Sequence, residues 1–243
     1  MIKVKNISKS YKDAIVLNNV SLEINKGDFT AVMGPSGSGK STLLYSISSM
    51  DNPDEGEVVF EGIDVYKLSE SELSKFRLNK MGFVFQNSQL LKNLSIFDNI
   101  ILPGMVAKRE SIEVVRARAT ELMSKMGIED IKDSDIREVS GGQLQRAAIC
   151  RAMINSPEIL FMYEPTGALN SEAASQVMEI LKKLNQEGIS IMLVTHDAKM
   201  ASMAKKVIYI KDGKLAGEIK LSNEKEALAE IDFWLRGQTS LIC

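Results

Sequence analysis

Histidine is almost absent from this 243-residue sequence: there is one, His196, and any imidazole chemistry must sit there. Cysteine is nearly as scarce. Cys150 and Cys243 make neither a disulfide framework nor a metal-site spacing, and free thiols fit a reducing cytoplasm. No sign of charge dominates: 30 Lys+Arg face 32 Asp+Glu for a net charge of -2. That balance argues against binding nucleic acid mainly by bulk charge. No apolar run approaches the roughly 18 residues of a membrane helix. The start, Met1-Ile2-Lys3-Val4-Lys5-Asn6, lacks an apolar h-region, so no signal peptide is expected and any link to a membrane should run through a partner. There is no internal repeat and no low-complexity tract. What remains is ordinary globular composition, 44% hydrophobic and 26% charged, at a length that suits one large domain or two small lobes and buries a core without staples.

Alternation of apolar and polar residues predicts strands at 2–7 and 15–24, and short apolar runs predict buried strands at 29–33, 57–60, 82–85, 158–162 and 189–194. Helices are expected at 42–47, 69–78, 171–185 and 223–236, the last with Leu228, Ile231, Trp234 and Leu235 on one side. Residues 207–210 and 215–219 flank Asp212-Gly213, a hairpin signal. Between about Gln86 and Pro157 the character changes. A strong helix at 111–126 carries Ile112, Val115, Ala119, Leu122, Met123 and Met126 at 3–4 spacing, and basic and acidic side chains balance. This region reads as a helical lobe inserted into an α/β core, and the strand–helix alternation around it argues a parallel sheet.

Gly34-Pro35-Ser36-Gly37-Ser38-Gly39-Lys40-Ser41 satisfies G-x-x-x-x-G-K-[ST]. Glycines let the backbone wrap a phosphate with successive N–H groups pointing inward, and the following helix adds its positive end. Lys40 then reaches the terminal phosphates and Ser41 offers a hydroxyl to Mg²⁺. Because the loop follows a buried strand and opens a helix, it has the context the motif requires. The chain is expected to bind a nucleoside triphosphate.

Such a protein needs a second strand whose end carries a carboxylate for Mg²⁺. The candidate, 158–162, runs into Tyr163-Glu164-Pro165-Thr166. A tyrosine stands where the metal carboxylate should be. Glu164 is left as the acid that can orient and polarise an attacking water. Tyr163 is neutral and bulky. Either water, Ser41, Gln86 and the phosphates still hold the metal, since Mg²⁺ keeps several waters, or the site is weakly catalytic or dead. A second helix start, Ser140-Gly141-Gly142-Gln143, offers an N-cap serine and open backbone to an anion. It lies far along the chain from the loop, and two chains facing each other would use both.

These residues resemble, over nearly the whole chain, the ATP-binding cassette (ABC) transporter ATPases. Gly34–Ser41 matches the family's Walker A, and Ser140–Gln143 matches its more specific signature motif. Gln86, after Gly82-Phe83-Val84-Phe85, is similar to the Q-loop glutamine that touches Mg²⁺ and water. Glu164 matches the catalytic base, His196 the switch histidine at the γ-phosphate, and Tyr11 the aromatic that stacks on adenine. The resemblance implies catalytic roles for Glu164, His196 and Gln86, with Ser41 and Gln86 at the metal. Nucleotide contacts would come from Tyr11, Gly34, Pro35, Ser36, Gly37, Ser38, Gly39, Lys40, Ser41 and Thr42, and from Ser140, Gly141, Gly142 and Gln143 of a second copy. Two positions depart from the pattern: Tyr163 replaces the Walker B aspartate and Asn170 the D-loop aspartate, a milder loss of charge.

The implied fold is α/β, a P-loop NTPase core with an antiparallel β subdomain and an inserted α-helical subdomain. It forms one ATP-binding domain over 1–243, with its core at about 1–86 and 158–222, the helical subdomain at about 87–157 and a C-terminal helix at about 223–236. Asn93–Ile100 and Glu164–Asn170 are similar to the lipoprotein-release and macrolide-exporter group. Gly167-Ala168-Leu169-Asn170 and the Trp234-Leu235 helix are similar to bacitracin-type peptide-antibiotic resistance transporters. The implied protein hydrolyses ATP with Mg²⁺ as a homodimer and drives a membrane permease through the groove near Gln86–Leu91. It would sit on the cytoplasmic face of a bacterial plasma membrane, with no nucleic-acid partner. In a homodimer both composite sites carry Tyr163, which leaves a slow nucleotide-dependent dimerisation switch as the competing reading. A nucleic-acid-associated cassette fits poorly with one cassette and balanced charge, and a P-loop kinase would need neither Ser140–Gln143 nor His196.

Overall fold

The computed structural model describes all residues except 13, 224 and 240–243, so Cys243 lies outside the described residues. In chain order the strands and helices begin with β1 (Ile2–Tyr11), β2 (Ala14–Ile24), β3 (Phe29–Met33), α1 (Lys40–Ile47), β4 (Glu55–Phe60), β5 (Ile63–Asp64) and α2 (Glu70–Lys80). Next come β6 (Met81–Phe85), α3 (Ile96–Ala107), α4 (Ile112–Lys125), α5 (Gly141–Met153), β7 (Ile159–Tyr163) and α6 (Ser171–Gln186). The chain finishes with β8 (Ser190–Val194), α7 (Ala198–Ala201), β9 (Lys206–Lys211), β10 (Lys214–Lys220) and α8 (Ala227–Thr239). The chain divides into two compact units, residues 1–73 with 190–243, and residues 74–189.

The first unit holds two kinds of sheet. β1 pairs antiparallel with both β2 and β4, and β4 with β5. Ile2, Val4, Ile7, Leu17, Val20, Leu22 and Ile24 turn inward and polar residues turn outward, which is the alternation expected of a sheet with one wet face. β3 runs parallel to β8 on one side and to β9 on the other, and β10 closes antiparallel on β9 through the Asp212-Gly213 turn. β3 and β8 are buried at every position, as a parallel strand covered on both faces must be.

In the second unit β6 and β7 pair in parallel, with Phe83 opposite Phe161 and Phe85 opposite Tyr163. Phe83 stacks on Phe161 at 5.7 Å between centroids and on Phe85 at 6.4 Å. α3, α4 and α5 pack on one another and form the helical part.

The structure departs from the sequence reading in three places. A helix not anticipated, α3, runs through Pro103-Gly104, a pair that normally stops one. Packing overrides the local preference here: a Cβ on Gly104 would lie 2.6 Å from Val115 Cγ1, so the missing side chain is what lets α3 settle on α4. Ile112 is not on the buried stripe of its helix but 37% exposed at the first turn; Val115, Ala119, Leu122, Met123 and Met126 are buried as expected. The C-terminal helix starts at Ala227 rather than 223, and its inner face is Ala227, Ile231, Trp234 and Leu235, leaving Leu228 39% exposed. The periodicity was correct and its origin was one residue off, because Ala227 is small enough to pass unnoticed.

One buried group is badly placed for stability. Thr30, in the middle of β3, is fully buried, and its hydroxyl has no hydrogen-bond partner among the described residues. An orphaned buried hydroxyl costs more than an apolar group of the same shape. Thr30→Val is therefore expected to raise stability by about 1 kcal/mol, a rise in Tm of about 2–4 °C. A drop in the urea midpoint would show that the hydroxyl is satisfied.

Candidate nucleotide site

The phosphate loop lies wholly in the first unit. β3 ends at Met33, paired with Tyr209 of β9, and the loop begins at Gly34 with φ 151. A Cβ there would lie 2.0 Å from the carbonyl oxygen of Ile210, so no other residue fits. The far side of the loop is tied to the next hairpin, where Gly213 N–H donates to the Ser38 carbonyl at 3.1 Å. β9 and its turn therefore hold the loop at both ends.

α1 starts from Gly39, a left-handed residue with φ 98 that gives no side-chain cap, and its first turn carries no acid. Its leading N–H groups are thus left for an outside anion. Lys40 is buried, and its ammonium donates to the carbonyls of Gly34 at 2.8 Å and Pro35 at 2.7 Å. Ser38 Oγ is buried without a partner among the described residues. A cation folded onto the loop's own carbonyls, an orphan hydroxyl and an uncapped helix start fit a phosphate chain. Ser41 and Thr42 follow in the first turn of α1, and Thr42 is buried.

His196 stands just beyond β8 and is exposed. With Gly34, Pro35, Ser36, Tyr209 and Leu235 it lines a cleft of about 580 Å³. Asp197 behind it caps α7, accepting from Lys199 N at 2.8 Å and Met200 N at 3.4 Å. Tyr11, at the end of β1, is 44% exposed, and its hydroxyl donates to Asp51. That bond raises the phenol pKa above its ordinary value, with burial adding to it. Lys9 lies 5.3 Å from the ring centroid and 3.0 Å from Asp51. The ring is thus tethered by its hydroxyl while much of it stays open to solvent.

The remaining candidates lie in the second unit. Tyr163 closes β7 in register with Phe85, the residue before Gln86, and is half-buried. Glu164 is only 8% exposed, with φ 45, a left-handed conformation uncommon for a residue with a Cβ. Such strain of about 1–3 kcal/mol tends to persist at functional sites. Gln86 is exposed, and its amide lies against Gly167: a Cβ there would be 3.0 Å from Gln86 Nε2.

Ser140 is a true N-cap. Its hydroxyl accepts from Gln143 N at 3.3 Å, and Gln143 Oε1 accepts from Ser140 N at 2.9 Å, a reciprocal capping box. No acid occupies the first turn of α5. Asn170 is the N-cap of α6, accepting from Ala173 N at 2.8 Å.

Sequence reasoning missed how the segment after β6 is held. Gln145 Nε2 donates to Phe85 O at 3.0 Å, and Arg151 donates to Ser88 O at 2.8 Å and Gln89 O at 2.6 Å. Asn99, fully buried, accepts from Leu91 N at 2.7 Å and donates back to Leu91 O at 3.1 Å. The backbone on either side of Gln86 is thus pinned by α5 and α3. The available signal was Gln145, a polar residue on the apolar side of a helix. Burial lowers the Arg151 pKa.

The family model described as ABC transporter matches residues 17–167. The chain belongs to this family and is one of its ATP-binding components, with the α/β P-loop fold of an ABC ATPase. It is 43% identical over 234 residues to the ABC transporter ATP-binding protein YxdL of Bacillus subtilis, covering 95% of this chain and 91% of YxdL. It is 43% identical over 228 residues to the macrolide export ATP-binding/permease protein MacB of Campylobacter jejuni, covering 94% of this chain but spanning 35% of MacB. A dimeric post-hydrolysis structure of the cassette MJ0796 of Methanocaldococcus jannaschii, bound to ADP and Pi, superposes with a TM-score of 0.85 at 41% identity, covering 92% of this chain and 100% of that one. Members of the family bind and hydrolyse ATP.

Arg151→Ala should free the Ser88 and Gln89 carbonyls and loosen the segment around Gln86. Amide hydrogen exchange at residues 86–91 is expected to speed up by about tenfold, in line with about 1–3 kcal/mol for charge-assisted bonds. Unchanged exchange there would mean that Asn99 and Gln145 hold the segment unaided.

Proposed function

We propose that this chain is the ATP-hydrolysing subunit that drives a membrane permease, and that it works as a pair of identical copies enclosing two ATP molecules. The observation that carries the reading is the loop at 34–41, with its uncapped helix start, inward-folded Lys40 and orphan Ser38 hydroxyl. In this reading Lys40 leaves the Gly34 and Pro35 carbonyls for the terminal phosphates, the loop N–H groups bind the chain of oxygens, and Tyr11 stacks on the base. Glu164 orients and polarises the attacking water, and His196 donates to the terminal phosphate. Ser140–Gln143 of the second copy cap the nucleotide from the other side. The capping box takes up the Gln143 N–H with the Ser140 hydroxyl, so in this reading the nucleotide is met by the N–H groups of Gly141 and Gly142.

Among the described residues no group of three His, Cys, Asp or Glu side chains could hold a metal ion. Mg²⁺, held largely by phosphate and water with the Ser41 hydroxyl and the Gln86 amide, would supply positive charge to the transferring phosphoryl group. The division into a core of about 1–86 and 158–222, a helical subdomain of about 87–157 and a C-terminal helix belongs to the same proposal. So does the permease's seat near Gln86–Leu91. No helix among the described residues is long and apolar enough to cross a membrane, and we place the chain on the cytoplasmic face through its permease. The macrolide export of its relative MacB supports antibiotic export as the class of work, with peptide-antibiotic resistance and lipoprotein release as the alternatives that the motifs resemble.

Tyr163 favours a second reading. It continues the row of Phe83, Phe85 and Phe161 where a metal carboxylate is needed, so the chain can bind ATP and pair without efficient turnover. Mg²⁺-dependent phosphate release by the purified chain beside Tyr163→Asp separates the two. Charge stabilisation through the metal is worth several kcal/mol, so the aspartate form should turn over about ten- to a hundredfold faster. Equal rates would remove Tyr163 as a limit on catalysis. Glu164→Gln should bind ATP, lose about a hundredfold or more in turnover, and accumulate as a dimer on gel filtration. Normal hydrolysis by that variant would show that Glu164 is not the base.

A further inference from the structure

The C-terminal helix reaches the phosphate loop. Leu235 of α8 forms one wall of the cleft that Gly34, Pro35, Ser36 and His196 line. Trp234, beside it, meets Tyr209 edge-on at 6.0 Å and 77°. Tyr209 is the β-partner of Met33, the last residue before the loop. α8 also packs on α7, whose N-cap is Asp197, the residue after His196. Ala227 and Ile231 bury the other end of the helix. One rigid element thus braces the entrance of the loop through Tyr209, the far side of His196 through α7, and the space between them through Leu235. All of these residues belong to the first unit.

We propose that Trp234 and Leu235 are positioning residues for ATP turnover: they fix His196 relative to residues 34–36, so that a change at α8 alters the rate without altering nucleotide affinity. This rests on the reading that His196 and the loop meet the terminal phosphate. The separation of rate from affinity follows from which groups do the binding. Affinity comes from the N–H groups of the loop and α1 and from Lys40, whose ammonium sits on the Gly34 and Pro35 carbonyls. The imidazole matters to the reacting phosphoryl group, where a displacement of about 1 Å can cost about a hundredfold in rate. Removing the Leu235 side chain opens the cleft wall beside that imidazole.

The test uses the full chain, in the Tyr163→Asp background if the unmodified rate is too low to measure. Turnover is expressed per nucleotide-binding site, with Kd for a non-hydrolysable ATP analogue measured separately. Leu235→Ala should lower kcat by about tenfold with Kd within about twofold of the parent, and Leu235→Met should restore most of the rate. Phe233→Ala, on the same helix but 81% exposed, should change neither. Trp234 is the only tryptophan of the chain, so its emission in the unmodified protein should shift on analogue binding, a readout that needs no variant and survives if Leu235→Ala fails to fold. A kcat for Leu235→Ala within twofold of the parent, a Kd that rises in step with the fall in kcat, or a silent Trp234 at saturating analogue would each overturn the proposal. If His196→Ala keeps the parental rate, the assignment of His196 has failed first and the positioning role goes with it; if His196→Ala is slow while Leu235→Ala is not, only the role of α8 is lost.

Discussion

The contact on which the first unit depends is the approach of the loop's first residue to β9. With 2.0 Å between an imagined Gly34 Cβ and the Ile210 carbonyl, the chain can leave β3 in one direction only. The same strand then turns through Asp212-Gly213 and takes hold of Ser38 from behind. A loop that must present many backbone N–H groups to an anion cannot stabilise itself, since those donors are the ones a folded loop would otherwise consume. Its shape has to be imposed from outside, and β9 imposes it. Lys40 serves the loop in the same sense, satisfying the two carbonyls that the turn leaves inward.

The second unit meets an equivalent demand with side chains. The segment after β6 carries Gln86 on irregular backbone, and irregular backbone leaves carbonyls without partners. Gln145 and Arg151 from α5, and Asn99 from α3, take up those at Phe85, Ser88, Gln89 and Leu91. Because α5 also carries the Ser140–Gln143 capping box at its start, the capped end of the helix and the ties to the Gln86 segment belong to one rod. A displacement of that rod is transmitted to both.

What could be read from the sequence follows from how local each signal is. The loop at 34–41, the Ser140 cap and the buried strands are contiguous patterns, and contiguous patterns survive without knowledge of the fold. α3 was hidden because Pro103-Gly104 is a local stop, and its reversal comes from Val115, a residue on another helix. Ile112 and Leu228 were misplaced because a stripe's edges are decided by what it packs on, whereas its period is not. The ties from Arg151, Asn99 and Gln145 end on main-chain groups, which have no residue type, so a sequence shows at most one end of each tie, as with Gln145. Leu235 was read correctly as inward-facing, but the identity of the wall it completes needed the structure.

The strain at Glu164 bears on how Tyr163 should be understood. A buried acid held at φ 45 costs free energy that glycine or asparagine, the residues at ease there, would not. Tyr163, directly before it, ends β7 opposite Phe85 and has no positive φ. Under the proposed reading the strained turn belongs to the base, and position 163 bears on the metal alone. In the reading proposed above, with Glu164 as the base, the substitution at 163 would act on the metal rather than on the attacking water.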